Sequence, residues 1–331
     1  MLGYIAKRVF HLIITFIIAL AVIFAVPRLM PGDPTRYVLG GRLQPGTTYV
    51  DLRNQLVDRF GLNKSYAEQF VLFIRNTFTG YLGVSWSFFP REVWAVMMER
   101  LPWTLFIMIP SRILSLLIAY FVGVLAAWKR GSKLDVVLQF LGLTSVALPI
   151  FWLGSVILLI FSYYIPIFPR GGALTPGAVY SSPFDLNFIS DALYHAALPI
   201  LTLAIFSFFG EALLMRNNML MILGEDFIQT AEAKGLPERT IMIKHASRNA
   251  MLPLVTGVFA GLGGMIVGSI FVETVFSYPG LGQLMGAALF ARDYPLVQGI
   301  FVLMTAITLI ANLVADFVYM WLDPRIRLVM K

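Results

Sequence analysis

Cysteine is absent, histidine occurs only three times, and charged residues make up just 13% of the 331 positions. The missing cysteine excludes a disulfide-stapled scaffold and leaves the redox compartment open. Scarce charge excludes disorder, which goes with few apolar residues and high charge. It also excludes an ordinary soluble domain, where roughly 45–50% of residues are apolar and about 25% charged. Here 58% are hydrophobic. No soluble core of this length could hide so much apolar surface, so composition alone points to an integral membrane protein.

Catalytic constellations are missing too. His11, His195 and His245 lie far apart, and no His-Glu-x-x-His pair offers itself to zinc. No Gly-x-Ser-x-Gly elbow occurs. Gly131-Ser132-Lys133 lacks the upstream glycine and preceding strand of a phosphate loop, so it reads as a charged turn. Neither a catalytic residue, nor a metal site, nor a cofactor of its own is expected in this chain.

What the sequence does have is long apolar runs. A membrane-crossing helix needs about 20 mostly apolar residues. Six runs qualify: Val9 to Val26, Leu101 to Ala127, Val136 to Ile165, Ala192 to Met215, Asn249 to Val272 and Tyr294 to Leu322. The first is too long for a cleavable signal peptide, and Pro27-Arg28 stands where a small-residue cleavage site would be. The fold class expected is therefore an all-α, multi-pass membrane protein of six transmembrane helices. Its divisions are 1–30 (N-terminal end and first helix), 31–100 (an extracytoplasmic helical subdomain), 101–322 (a core of five helices with a cytoplasmic loop, 216–248) and 323–331 (a cytoplasmic tail). Within 31–100, helical patterns recur at Leu52, Leu56 and Phe60, then at Phe70, Phe73, Ile74 and Phe78.

Charge placement sets the orientation. With both termini in the cytoplasm, Lys7, Arg8 and the segments 128–135, 216–248 and 323–331 hold thirteen Lys or Arg against six acids. The opposite short loops, 166–191 and 273–293, hold only Arg170 and Arg292. This is the positive-inside asymmetry. The net charge of +7 thus reports topology and calls for no nucleic-acid partner. Four charges fall in or near the apolar runs: Arg112, Glu211, Glu273 and Asp316. The three acids lie within one or two turns of the expected span ends, within reach of water, and packing or end-anchoring accounts for them better than ion transfer. Gly257, Gly261, Gly263, Gly264 and Gly268 crowd the fifth run, as close helix packing in membranes favours.

The most informative stretch is cytoplasmic, from Gly224 to Pro237. Glu225 and Asp226 suit a helix N-terminus, where the dipole favours negative charge. Phe227, Ile228 and Ala231 follow on one face. Gly235 stands where a left-handed C-terminal residue is wanted, and Pro237 acts as a stop. A helix of two to three turns is marginal alone and needs a surface to hold it. Its alanine-rich, mixed-charge character suits a groove on another protein better than lipid. On spacing alone, the chain's own spans are a real competitor for that surface.

Thr230-Ala231-Glu232-Ala233-Lys234-Gly235-Leu236, followed by His245 to Pro253, resembles the coupling-loop signature of ABC importer permeases. Pro31-Gly32-Asp33-Pro34, Gly80 to Ser85, Phe276 to Gly282, Arg292-Asp293-Tyr294-Pro295 and Asp323-Pro324-Arg325 extend the resemblance along the whole chain. More narrowly the chain resembles the peptide/nickel importer family in its first-permease, B-type branch. Tyr81 replaces that branch's usual Asp, Gln229-Thr230-Ala231 replaces the opening Glu-Ala-Ala, and Leu213 stands where many relatives carry a basic residue.

The resemblance implies a type I importer permease in the cytoplasmic (inner) membrane. It would pair with a homologous second permease, two ATP-binding subunits that hold the ATP and Mg, and an extracytoplasmic solute-binding protein. Asp226, Phe227, Ile228, Ala231, Glu232, Ala233, Lys234, Gly235 and Leu236 would couple to an ATPase subunit, with bulk at Ala231 or Gly235 holding the helix out of its groove. Pro31, Gly32, Asp33, Pro279, Gly280, Arg292 and Asp293 would form the external gate or meet the binding protein. The cargo implied is a short oligomeric solute, a peptide or an oligosaccharide. Nickel ranks last for want of His or carboxylate clusters. The rival class is a stand-alone secondary transporter or channel, against which the lack of acid pairs at mid-membrane argues.

Overall fold

The computed structural model describes residues 2–29 and 63–322, and among these the chain is helical throughout apart from turns and one isolated bridge between Val84 and Glu92. The helices in order are α1 (Leu2–Leu29), α2 (Tyr66–Phe78), α3 (Val93–Trp128), α4 (Lys133–Ser145), α5 (Ile150–Leu158), α6 (Leu186–Leu223), α7 (Asp226–Ala233), α8 (Ser247–Ala260), α9 (Leu262–Val275), α10 (Leu281–Phe290) and α11 (Tyr294–Leu322). Short π-helical turns at Leu159–Tyr164 and Ile241–Ala246 follow α5 and precede α8.

Four described helices are long and apolar enough to cross a membrane: α1, α3, α6 and α11. At 1.5 Å per residue the 36 residues of α3 and 38 of α6 reach about 54 and 57 Å, well beyond a hydrocarbon layer of about 30 Å. The other two expected spans are not single rods. The run 136–165 divides into α4 and the α5 segment, bent by 112°. Pro149 is the reason: it precedes the first residue of α5 in extended conformation, and proline drives the residue before it out of the helical region. If that bent pair counts as one crossing, the total is five. The run 249–272 divides at Gly261 into two helices of 14 residues each. Hydrogen bonds from Gly261 N–H to Gly257 O (2.9 Å) and from Met265 N–H to Gly261 O (3.1 Å) carry the ladder across that turn.

The chain forms two compact units. One comprises residues 1–102 and 280–310. In it α2 begins with a capping box, Glu68 N–H donating to Ser65 Oγ (3.3 Å) while Ser65 N–H donates to the Glu68 carboxylate (3.0 Å). The Phe70, Phe73 and Phe78 face expected from the sequence lies in this helix and meets α1. Phe24 stands 5.2 Å from Phe70 and 5.7 Å from Phe73, and Phe16 lies 6.1 Å from Phe78, centroid to centroid. Arg28 closes the seam, donating to Gln69 Oε1 (2.9 Å) and to Phe24 O (2.9 Å). Leu52, Leu56 and Phe60 lie outside the described residues.

The second unit comprises residues 103–279 and 311–331, and α6 is its hub. Helices α4, α5, α8 and α9 all pack on α6. Helix α3 approaches α6 so closely at Gly123 that a Cβ there would stand 2.7 Å from Ala212 O. Arg112 on α3 pairs with Glu211 on α6, and Ser115 Oγ donates to the other carboxylate oxygen (2.7 Å). One turn and a half further along α6, Arg216 makes a two-pronged contact with Asp135 of α4, Nε to Oδ1 at 2.8 Å and Nη2 to Oδ2 at 3.0 Å. Asp135 also accepts from Gly131 N–H (2.9 Å) and Gln139 Nε2 (3.1 Å).

These contacts revise the expectation that water reaches the acids. Glu211 is paired and mostly buried twelve residues before the end of α6, and Glu273 on α9 is fully buried, accepting from Thr104 Oγ1 at 2.8 Å. The side chain of Asp316 lies outside the described ones. Both buried carboxylates serve packing, each with its charge or lone pairs met by a neighbouring helix.

Asp135→Ala leaves a mostly buried guanidinium without its carboxylate. It is expected to lower the thermal unfolding midpoint of the detergent-solubilised chain by several degrees, on the order of 2 kcal/mol. Thermal scans should show Asp135→Ala/Arg216→Leu recovering part of that loss.

Candidate functional site

Helix α7 is the short helix that the capping pattern foretold. Glu225 precedes it in extended conformation and makes no side-chain cap bond, while Asp226 supplies the negative charge in the first turn. At its other end Lys234 is the last near-helical residue and Gly235 takes φ +71°. Gly235 N–H donates to Glu232 O (2.8 Å) and Leu236 N–H reaches back to Ala231 O (3.4 Å). This pair of bonds is a complete Schellman cap, and Leu236 and Ala231 share one apolar cluster, as that motif favours.

The helix shows two different faces. Ile228 and Ala231 are buried, packed with Met215, Met219, Ile241 and Ala246 of the same chain. Asp226, Phe227, Gln229, Thr230, Glu232, Ala233 and Lys234 are exposed. Two expectations need amending accordingly. Ala231 is small because its own spans press on it, and bulk there would displace α7 from this chain. Gly235 meets nothing within 4 Å of a built Cβ, so its constraint is the left-handed backbone rather than space. The surface competition left open by the sequence resolves by side: the chain's own helices hold one face of α7, and the other is free.

The external motifs fall in the two units separately. Pro31, Gly32 and Asp33 lie outside the described residues. In the first unit, two sequence motifs 208 residues apart meet: Asp293 accepts hydrogen bonds from Ser85 Oγ, from Ser87 N–H (2.8 Å) and from Leu296 N–H (3.2 Å). The last of these caps α11. Gly83 at φ +85° turns the chain beside Pro295, and Trp86 stacks near Tyr294 with centroids 5.4 Å apart. Asp293 is therefore fully buried as an organiser of this corner, which leaves partly exposed Arg292 as the member of the pair that can face outward. Gly280 is buried as the N-cap of α10.

In the second unit Phe276 and Tyr278 are core residues and Pro279 is half-buried. Gly172 N–H donates to Phe276 O (3.1 Å), and a Cβ on Gly171 would stand 2.7 Å from the same oxygen. The loop 166–185 is tied to the start of α6 by Asp191, which accepts from Thr175 N–H (2.7 Å), Thr175 Oγ1 (2.7 Å) and Tyr180 OH (2.6 Å). That last bond holds the Tyr180 phenol protonated, pushing it up to about 12. The sequence reading missed Asp191, although an Asp one turn before a buried His195 on a helix start was there to be seen.

Beside α7, Phe227 forms one wall of a cavity of about 430 Å³ whose other lining residues are Lys244, His245, Arg248, Asn249 and Leu252. Of these, Phe227 was expected in the coupling helix and His245, Arg248, Asn249 and Leu252 fall in the motif from His245 to Pro253, but a shared cavity was not foreseen from the sequence.

Residues 119–328 match the family described as binding-protein-dependent transport system inner membrane component. Over 327 residues the chain is 33% identical to the oligopeptide transport system permease protein AppB of Bacillus subtilis, covering 99% of this chain and 100% of that one. It is 36% identical over 344 residues to the dipeptide transport system permease protein DppB of Escherichia coli, covering 99% of each. The di/tripeptide transport system permease protein DppB of Pseudomonas aeruginosa is 32% identical over 342 residues, again with 99% of each chain covered.

Gly235→Ala should strain the cap by roughly 1–2 kcal/mol, the cost of a left-handed alanine. Hydrogen–deuterium exchange is expected to accelerate in the peptide covering Glu232 to Leu236, with α6 unchanged.

Proposed function

The chain belongs to the family of binding-protein-dependent transport inner membrane components, and we propose that it forms half of the translocation pathway of an ATP-driven importer of short peptides. It is a permease, a transport subunit of the inner membrane, and its relatives are named as permeases and not as enzymes. Six crossings with both termini in the cytoplasm fit its positive-inside charge. In that topology α4–α5 is one broken crossing and α8–α9 another, interrupted by a single turn.

The observation that carries the coupling role is the half-docked α7. Its inner face is fixed to α6 and to the root of α8 through Ile228 and Ala231. Its outer face, through Gln229, Thr230, Glu232 and Ala233, is exposed and can enter a groove on an ATPase subunit, with Phe227 on the flank. A push on the outer face is then felt directly by α6, since only Gly224 and Glu225 separate the two helices. Such a short, capped connection lets ATP-driven closure of two ATPase subunits bias the bundle between inward-open and outward-open states. A homologous second permease completes the pathway, and a solute-binding protein delivers cargo on the other side, with Arg292 and the segment around Pro279 as contacts. Peptide is favoured over oligosaccharide as cargo because the relatives that span the whole chain are named for oligopeptides, dipeptides and tripeptides.

Ala233 tests this cleanly, since it is exposed and helical, so that bulk there strains neither backbone nor core. In proteoliposomes carrying the permease pair, ATPase subunits and binding protein, Ala233→Trp should cut ATP-driven dipeptide uptake at least tenfold while the chain still inserts. Uptake at the wild-type rate would refute the coupling role of this face. Ion-gradient-driven uptake by the permease alone would establish the stand-alone transporter instead.

A further inference from the structure

The cavity beside α7 has a chemical character that coupling does not explain. Lys244 and Arg248 are spaced four residues apart, as are His245 and Asn249, so their side chains share one side of the helical run that leads into α8. The opposite side, through Ile241, Ala246, Ser247, Ala250 and Leu254, is buried against the chain's own core. Lys244 and Arg248 are exposed, and neither forms an ion pair among the described residues. Asp226 and Glu225 lie close in sequence to Phe227 yet pair with neither cation. Two unmatched cations, an imidazole and an amide therefore line one side of the cavity, with Phe227 and Leu252 supplying its apolar wall.

The position of this cavity in the chain gives its depth. Ile228, next to Phe227, packs on Met215 and Met219, where the apolar run of α6 ends, and Leu252 lies three residues into the apolar run that begins at Asn249. In the topology proposed above, both stretches lie at the cytoplasmic end of their apolar runs, which puts the cavity near the level of cytoplasmic lipid headgroups. Its volume, about 430 Å³, falls within the ~300–1,000 Å³ of small-ligand sites. A basic pocket with an apolar wall at that level matches an anionic headgroup attached to a hydrocarbon chain.

We propose that Lys244, His245, Arg248 and Asn249 bind the phosphate of an anionic phospholipid, with Phe227 and Leu252 against its glycerol and upper acyl region. The lipid would bridge α7 and the root of α8, so that the coupling helix is held partly by a membrane component. Lys244 and Arg248 supply the charge, while His245 and the second amide hydrogen of Asn249, whose first donates to His245 O (2.9 Å), can each donate a hydrogen bond to a phosphate oxygen. An acidic surface of a protein partner is the competing occupant. The cavity's level at the apolar boundary and its apolar wall favour lipid.

The test uses the full-length chain, purified with the subunits that accompany it, in nanodiscs of phosphatidylcholine containing a minor share of phosphatidylglycerol. Native mass spectrometry should find phosphatidylglycerol retained by the wild type and retained at least fivefold less by Lys244→Gln/Arg248→Gln, with an unchanged size-exclusion profile. Lys244→Arg should retain it, and Lys129→Gln/Arg130→Gln, which removes two cations of another turn, should leave retention intact. Equal retention by the Lys244→Gln/Arg248→Gln variant would overturn the proposal. So would complete displacement of the lipid by millimolar inorganic phosphate, which would make this a site for small anions. Loss of the accompanying ATPase subunits by that variant in pure phosphatidylcholine would assign the pocket to a protein partner. The uptake assay on Ala233→Trp is independent of lipid retention, so the two readings can fail separately.

Discussion

A helix that runs through an apolar layer can carry a charge only if another helix brings the opposite one. In α6 this constraint is met by Arg112 of α3 on Glu211, and beyond the apolar run of the same helix Arg216 binds Asp135 of α4. Each pair fixes both the register and the azimuth of the partner helix, because a salt bridge of this kind tolerates little sliding once water is excluded. The close approach at Gly123 then becomes possible between the two charged levels, where small residues let backbones touch. The apolar packing of α5, α8 and α9 follows on the remaining faces of the same rod. The larger unit is thus ordered around one helix whose charges decide where its neighbours stand.

That order reaches the cytoplasmic segment by covalent continuity. Helix α6 stops at Leu223, a two-residue turn follows, and α7 folds back so that Ile228 and Ala231 join the cluster around Met215 and Met219. The Schellman cap ends α7 cleanly, and the chain re-enters the bundle through the π-helical turn 241–246. The proposed coupling surface is what remains exposed after this folding back, and the proposed lipid pocket is the notch between the returning strands of chain. Both readings rest on the same geometry, but one concerns the outer face of α7 and the other its flank.

Much of this could be read from the sequence, for identifiable reasons. Hydropathy located every long apolar run, because the signal is a sum over many residues. The cap of α7 was legible because a left-handed glycine followed by proline is a local code. What hydropathy could not register was direction: the run 136–165 is uniformly apolar, and only Pro149 marked a bend of 112°. Non-local pairing was invisible too. Asp293 read as an exposed contact, yet Ser85, 208 residues away, and Ser87 turn it into a buried junction. The side of α7 that faces inward was equally undecidable from spacing, since it depends on Met215 and Met219 of another helix.

The cap and the three apolar side chains that secure α7 also bear on the lifetime of the protein in the cell. An eight-residue helix held by Ile228, Ala231 and Leu236 opens at far lower free energy than α6, which is packed along its whole length. When opening is fast, cleavage by proteases follows the population of the open form. In a chain whose exposed α7 face is uncovered, this segment would therefore open to proteases more readily than α6. Covering that face would slow cleavage there, because a partner that binds only the closed form lowers the population of the open one.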